Sequence, residues 1–358
     1  MRPVTTDSAS RGSRPRIAPG DRPLPAIIAH RGASGYRPEH TAAAYELAFA
    51  LGADAVEPDI VATRDGVLVI RHDVEISATT DVASRPEFAA LRTTKEVDGA
   101  VLTGWFTEDF TWAQLATLRC VERLAALRPL SATFDGRYGV LRLSELLDLV
   151  TAASARLDRP LGIVAELKHA TYFDSLGLPL DELFPAELAA AGWDRSAPLA
   201  VESFEQDILV SLAAAGVDAD LVYLVEAHGA PADRVARSGA AARAYDDDVT
   251  DAGLAALAAC GLTGVSVDLS RMLRTTGDGA LVATDIARRA AAAGLQTYCW
   301  TLRPENAFLP PSARLGGGPG SPGDWRRVFE LVQRSGAAAV FADHPDLAAS
   351  VRETRARE

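Results

Sequence analysis

Aromatic residues make up only 6% of this 358-residue chain, and there are only three cysteines. Cys120, Cys260 and Cys299 lie far apart, show no CxxC spacing and are odd in number, which argues against a disulfide framework or a thiolate metal site. The apolar neighbours of Cys299 in Gln296-Thr297-Tyr298-Cys299-Trp300 read as core packing. No stretch approaches the roughly 18 uninterrupted apolar residues of a membrane span, so no stable membrane association is expected. Positive charge is also in short supply: 36 Lys and Arg face 48 Asp and Glu, for a net charge of -12. A chain this acidic repels polyphosphate backbones at long range, which excludes sequence-independent nucleic-acid binding and a grip on anionic lipid. Small substrates stay open, and the oligomeric state is not legible. The first 23 residues carry no apolar core of a secretory signal, so a cytoplasmic protein is expected, with export left open if a leader was removed.

With 48% hydrophobic and 23% charged residues, the composition is that of a soluble globular protein. Residues 1–23, rich in Pro, Ser, Gly and Arg, read as a flexible tail, and residues 24–355 as one domain. Ala26 to Ala29 is a short apolar run that ends at His30, as a buried parallel strand does. Thr41 or His40 then opens a helix that Gly52 stops. Ala53 to Val61 predicts a second strand, and Val67 to Ile70 a short return arm after the turn Asp65-Gly66. Residues 74–139 break the alternation of strand and helix and read as an insertion over the site. The alternation then resumes, with strands predicted at Leu161–Leu167, Pro198–Glu202, Asp220–Val225, Thr263–Asp268, Gln296–Thr301 and Ala338–Ala342. Eight strands alternating with helices predict an α/β fold of the (β/α)8 TIM-barrel type, with an insertion after the second strand.

In such a barrel the strands' C-terminal ends share one rim, where active sites sit. His30, Glu57, Asp59, Glu166, Lys168, Ser203, Asp268, Trp300 and Asp343 all fall at or just past those ends. Glu57 and Asp59, like Glu166 and Lys168, are two apart and share one face of a strand. Glu57, Asp59 and Glu166 would offer oxygen ligands only, which favours Mg2+ or Ca2+ over zinc. Three crowded carboxylates without a cation would repel one another. Arg31 and Lys168 beside them form a trap for a phosphate oxyanion. His30 and His72 are the natural proton carriers near neutral pH, and the set suggests metal-assisted phosphodiester cleavage.

The series His30-Arg31-Gly32, Pro38-Glu39-His40-Thr41, Glu57-Pro58-Asp59, His72-Asp73, Glu166-Leu167-Lys168 and Trp300 resembles the glycerophosphodiester phosphodiesterase family, in the right order from about residue 26 to 347. The resemblance implies hydrolysis of a glycerophosphodiester to sn-glycerol 3-phosphate and an alcohol. His30 and His72 would be acid and base, Glu57, Asp59 and Glu166 the ligands of a divalent cation, and Arg31 and Lys168 the phosphate contacts. Glu39, Ser203, Phe204 and Trp300 would belong to the substrate pocket, and the insertion would cover the glycerol. Many members carry Asn where this chain has His40; His there resembles the periplasmic type. Two other readings stay open: cleavage of lysophospholipids to release the head group, and a non-catalytic barrel that binds a phosphodiester. The glycine run between Gly316 and Gly320 reads as a rim loop rather than a phosphate cradle.

Overall fold

The computed structural model describes residues 14–18, 24–193 and 196–357. Its strands in chain order are β1 (Ala26–His30), β2 (Ala55–Glu57), β3 (Asp59–Ala62), β4 (Leu68–Ile70), β5 (Thr93–Val97), β6 (Ala100–Gly104) and β7 (Gly162–Leu167). They continue with β8 (Leu199–Ser203), β9 (Asp220–Val225), β10 (Gly264–Asp268), β11 (Leu273–Thr275), β12 (Leu281–Ala283), β13 (Gln296–Leu302) and β14 (Ala339–Ala342). The order β2-β1-β14-β13-β10-β9-β8-β7-β3, with β2 also paired to β7, closes a parallel barrel on itself. Counting β2 and β3 as one stave gives the eight expected. Pro58 separates them because it has no N–H to donate, yet the register survives: Ala55 lies opposite Gly162 and Asp59 opposite Glu166. The predicted return arm is β4, antiparallel to β3.

Alternation along the staves builds two cores. Ala26 and Ile28 of β1, Ala55 of β2, Val164 of β7, Ala200 of β8, Tyr298 of β13 and Phe341 of β14 pack together inside the barrel. Their neighbours Ile27, Ala29, Val56, Ile163, Ala165 and Val201 belong to the larger cluster under the helices. The residue two places beyond the last inward apolar side chain of these staves stands one layer higher, at the mouth. That rule sends His30, Glu57, Glu166, Glu202, Trp300 and Asp343 to one end.

The insertion holds the hairpin β5–β6, whose turn is Asp98-Gly99, both at positive φ (48° and 81°). A second small hairpin, β11–β12, was not legible from sequence. The segment 304–323 folds back on itself, with the Asn306 amide bonded to the carbonyls of Leu315 (3.0 Å) and Gly318 (3.3 Å). No helix among the described residues is long and apolar enough to cross a membrane.

The flexible-tail expectation for residues 1–23 does not hold for 14–18; residues 1–13 and 19–23 lie outside the described residues. Ile17 and Ala18 are buried in the inner core, across the barrel's N-terminal opening. Arg14 donates to the carbonyls of Asp218 (2.9 Å) and Ala197 (2.8 Å), and Arg16 pairs with Asp220 at 3.5 Å. The physical reason is that an open barrel end exposes apolar side chains, and one isoleucine with flanking arginines covers it. Gly162 makes room for this contact: a Cβ there would meet Ile17 Cδ1 at 2.4 Å. Ile17→Ala should cost about 2 kcal/mol in urea unfolding, the lower end of the range for a buried isoleucine, and leave turnover unchanged. No loss of stability would mean that the segment does not seal the barrel.

Candidate active site

β1 ends in a tight turn. Arg31 has φ 59° and Gly32 φ 82°, and a Cβ on Gly32 would meet the backbone of Ala44 at 2.7 Å. The turn therefore packs directly on helix Ala42–Ala50, which Thr41, one of the two starts the sequence leaves open, caps through the Ala44 N–H. The reversal aims His30 and Arg31 at the barrel mouth. The Arg31 N–H donates to Glu57 Oε2 at 2.9 Å. Its guanidinium donates through Nη1 to both oxygens of Glu39 at 3.2 Å and lies 3.3 Å from Asp59 Oδ2 through Nε.

A cavity of about 860 Å³ opens at this end. His30, Arg31, Glu57, His72, Glu166 and Lys168 line it, as do Ser203, Phe204 and Trp300. Two residues expected at the site stand behind its wall instead. Glu39, assigned from sequence to the substrate pocket, is buried with its carboxylate taken up by Arg31 and, at 3.3 Å, by Arg123. Asp59 is buried too: His40 Nε2 lies 2.8 Å from its Oδ2, and Lys168 Nζ lies 3.8 Å from its Oδ1. His40 itself is fully buried and its Nδ1 meets the Tyr45 hydroxyl at 2.7 Å, so this histidine orients Asp59 rather than facing the cavity.

Three other carboxylates meet at the cavity floor. Glu57, Glu166 and Glu202 each offer an oxygen within 4.8 Å of the others, all three buried, and together they could hold a metal ion. Glu202 was missed in the sequence. The signal was there: it stands two positions after inward Ala200, and in register beside Glu166. Glu57 Oε1 and Glu202 Oε2 are buried without a hydrogen-bond partner. Burial, with Asp59 and Glu166 close by, pushes the Glu57 carboxyl well up. Burial and Glu166 do the same to Glu202. Burial pushes Glu166 up to about 8 even though the Lys168 ammonium, 2.7 Å away, opposes the shift. Three buried acids that resist ionisation, with open oxygens converging, suit a hard cation. Asp59 behaves oppositely: burial would raise it, but His72, Lys168 and Arg31 hold it well below its ordinary value.

His30 and His72 both line the cavity. His30 Nδ1 lies 2.7 Å from Asp343 Oδ1. Burial and the Arg31 charge lower it to about 3, against the opposing pull of Asp343. Asp343 stays ionised because Arg303, Arg128 and His30 outweigh its burial. Its carboxylate can only accept, so His30 donates from Nδ1 and keeps its Nε2 lone pair free. His72 Nδ1 is 2.8 Å from Asp73 Oδ1, and burial, Arg31 and Lys168 hold it below its ordinary value. Phe204 meets Trp300 edge to face at 5.8 Å and lies under the Lys168 ammonium at 5.5 Å. The Ser203 hydroxyl donates to the Leu167 carbonyl at 2.8 Å, so it braces the wall. The insertion reaches the cavity through Glu96, Asp98 and Gly99, and Asp98 Oδ2 lies 2.5 Å from His169 Nδ1 on the opposite rim. The glycines between 316 and 320 do not line it.

Comparison with known proteins agrees with this geometry. The chain is 30% identical over 298 residues to glycerophosphodiester phosphodiesterase GDPD6 of Arabidopsis thaliana, covering 80% of this chain and 76% of that one. It is 39% identical over 154 residues to the probable glycerophosphodiester phosphodiesterase 1 of Mycobacterium tuberculosis, covering 42% of this chain and 46% of the relative. Among solved structures, a putative glycerophosphoryl diester phosphodiesterase from Silicibacter pomeroyi superposes with a TM-score of 0.64 at 20% identity, covering 96% of both chains. An Oleispira antarctica phosphodiesterase, solved with the product sn-glycerol-3-phosphate, gives 0.59 at 21% identity, covering 92% of this chain and 97% of that one. The profile of the glycerophosphoryl diester phosphodiesterase family matches residues 30–347, from the first site histidine to past the last stave, and the chain belongs to that family of phosphoric diester hydrolases.

Proposed function

We propose that the protein hydrolyses glycerophosphodiesters to sn-glycerol 3-phosphate and an alcohol, with Ca2+ or Mg2+ as its cofactor. The observation that carries this reading is the convergence, in one cavity, of three open carboxylates, two fixed cations and two neutral imidazoles. The product held by the Oleispira antarctica phosphodiesterase supports the choice of substrate. Glu57, Glu166 and Glu202 would hold the cation, and Asp59 Oδ1, which has no hydrogen-bond partner, is a further oxygen beside them. When bound, the cation polarises a phosphoryl oxygen and offsets the negative charge that builds on it.

The remaining work belongs to the chain. Arg31 is held through Nη1 on Glu39 and by the ion pair of Nε with Asp59, which leaves Nη2 for a phosphate oxygen, and Lys168 supplies a second charge from just past β7, one stave beyond β2 and β3. Asp343 and Asp73 fix the tautomers of His30 and His72, so each presents a free nitrogen to the phosphodiester. Substrate brings negative charge between the rings and raises their proton affinity, which lets one ring arrive protonated while the other stays basic. The basic ring takes the proton of a glycerol hydroxyl as its oxygen bonds to phosphorus, and the charged ring protonates the alcohol as its P–O bond breaks, which leaves a cyclic glycerol phosphate. Water then opens the cyclic phosphate with the two roles exchanged. Phe204 and Trp300 give the glycerol carbons an apolar wall.

Purified protein with glycerophosphocholine, glycerophosphoethanolamine and a lysophospholipid should release glycerol 3-phosphate from the first two only, and chelator should stop it. No product with any divalent cation would overturn the proposal. His30→Ala and His72→Ala should each lower kcat about a hundredfold or more with the fold intact by circular dichroism.

A second outcome concerns protons. Glu166 is raised from 4.5 to about 8 in the folded, metal-free protein. Between those values the folded chain keeps a proton that the unfolded chain has lost, so this group's contribution makes stability fall as pH rises through the window. Titration calorimetry in buffers of different ionisation enthalpy should show protons released as Ca2+ or Mg2+ binds, with affinity rising toward about pH 8. Proton-neutral binding at pH 7 would place the cation away from these carboxylates.

A further inference from the structure

Arg128 is a buried arginine from the insertion that the chemistry above does not use. Its three guanidinium nitrogens each reach a different rim segment of the barrel. Nη2 donates to Asp343 Oδ2 at 2.6 Å, just past β14; Nε donates to Glu305 Oε1 at 2.8 Å, in the segment after β13; Nη1 donates to the Ser34 carbonyl at 3.1 Å, after β1. Asp343 is the carboxylate whose other oxygen meets His30 at 2.7 Å. The arginine is held in turn by a short, well-bonded turn: Glu122 accepts from the Leu124 N–H (2.7 Å) and the Ser131 hydroxyl (2.6 Å), and the Arg128 N–H donates to the Leu124 carbonyl (2.8 Å).

We propose that Arg128 is a positioning residue for His30, acting through Asp343, so that the insertion completes the catalytic centre from behind rather than only covering it from above. The inference rests on the reading of His30 as a proton carrier. A carboxylate can swing about its own axis, and a swing of Asp343 would turn the imidazole with it. Arg303 Nε also reaches Asp343 Oδ2, at 2.7 Å, but from a half-buried side chain at the rim. Arg128 is 6% exposed and tied at three points, so it fixes the plane of the carboxylate, which an ammonium with one attachment would not. Arg123 makes a parallel link at 3.3 Å to Glu39, the carboxylate that holds Arg31. Two arginines of one insertion segment therefore stand behind the two functional residues of β1's turn.

The test is a double-variant cycle on the full-length enzyme with its cation, using glycerophosphocholine and reading kcat and KM separately. Arg128→Lys keeps the buried charge, and thermal unfolding checks its fold. We expect Arg128→Lys and Asp343→Asn each to lower kcat about tenfold or more with KM within about twofold, and the double variant to be no slower than Asp343→Asn alone. Wild-type kcat in Arg128→Lys, or losses that multiply in the double variant, would overturn the inference. A second readout needs no turnover: the low-field proton resonance of His30 Nδ1–H, assigned through His30→Gln, should be present in the wild type and lost or shifted in Arg128→Gln. An unchanged resonance would also overturn it. If the wild type hydrolyses no glycerophosphodiester, the functional reading fails, and the resonance still decides whether Arg128 orients His30.

Discussion

Three carboxylates share the mouth of this barrel within 4.8 Å of one another, and much of the rim is arranged around their charge. Ionised together and buried, they would each carry a desolvation cost of several kcal/mol on top of their mutual repulsion. The fold tolerates them by setting positive charge beside them and leaving oxygens open. Lys168 lies against Glu166 and also reaches Asp59, Arg31 gives its N–H to Glu57, and His40 with Arg31 holds the other oxygen of Asp59, whose carboxyl is kept well below its ordinary value. Burial first, and then the Arg31 charge, with Lys168 also acting on His72, lowers the pKa of His30 and His72, so these two rings stay neutral near pH 7. Acids pushed up by burial beside imidazoles pushed down are an arrangement that a bound cation and anion together would relieve.

Most of the barrel was readable in the sequence because its staves are short apolar runs that end in polar residues, and both features are local. Strand β9 falls on its predicted bounds, and the other barrel staves begin or end within a few residues of them. Some site residues emerged from sequence because a polar neighbour stands two positions away, as with Glu57 and Asp59 or Glu166 and Lys168; His30 and His72 emerged as imidazoles at or just past the end of an apolar run. Glu202 escaped because its polar partner is Glu166 on the adjacent stave, a relation set by register rather than by spacing along the chain. Glu39 and Asp59 carry the right chemistry, but whether a buried acid faces a cavity or an arginine behind it depends on contacts of high sequence separation.

The same limit explains what the insertion and the N-terminal segment concealed. Arg123 and Arg128 sit in a stretch without a repeating pattern, and their partners Glu39 and Asp343 lie on the opposite flanks of the chain. Ile17 sits in a sequence whose composition is that of a tail, yet one buried side chain and two arginines dock it across the barrel's open end. Composition reports the average of a segment, while docking needs only one or two residues that match a surface formed elsewhere. The hairpin tip at Asp98-Gly99, joined to His169, is a further case: the turn is local, its place above the cavity is not.

The central claim, that Glu57, Glu166 and Glu202 are the floor on which a divalent cation binds, is open to direct observation. Crystals grown with Mn2+, a hard cation with a strong anomalous signal, should show one anomalous peak at oxygen-bonding distance from these three carboxylates. A peak bonded to none of the three would contradict the account.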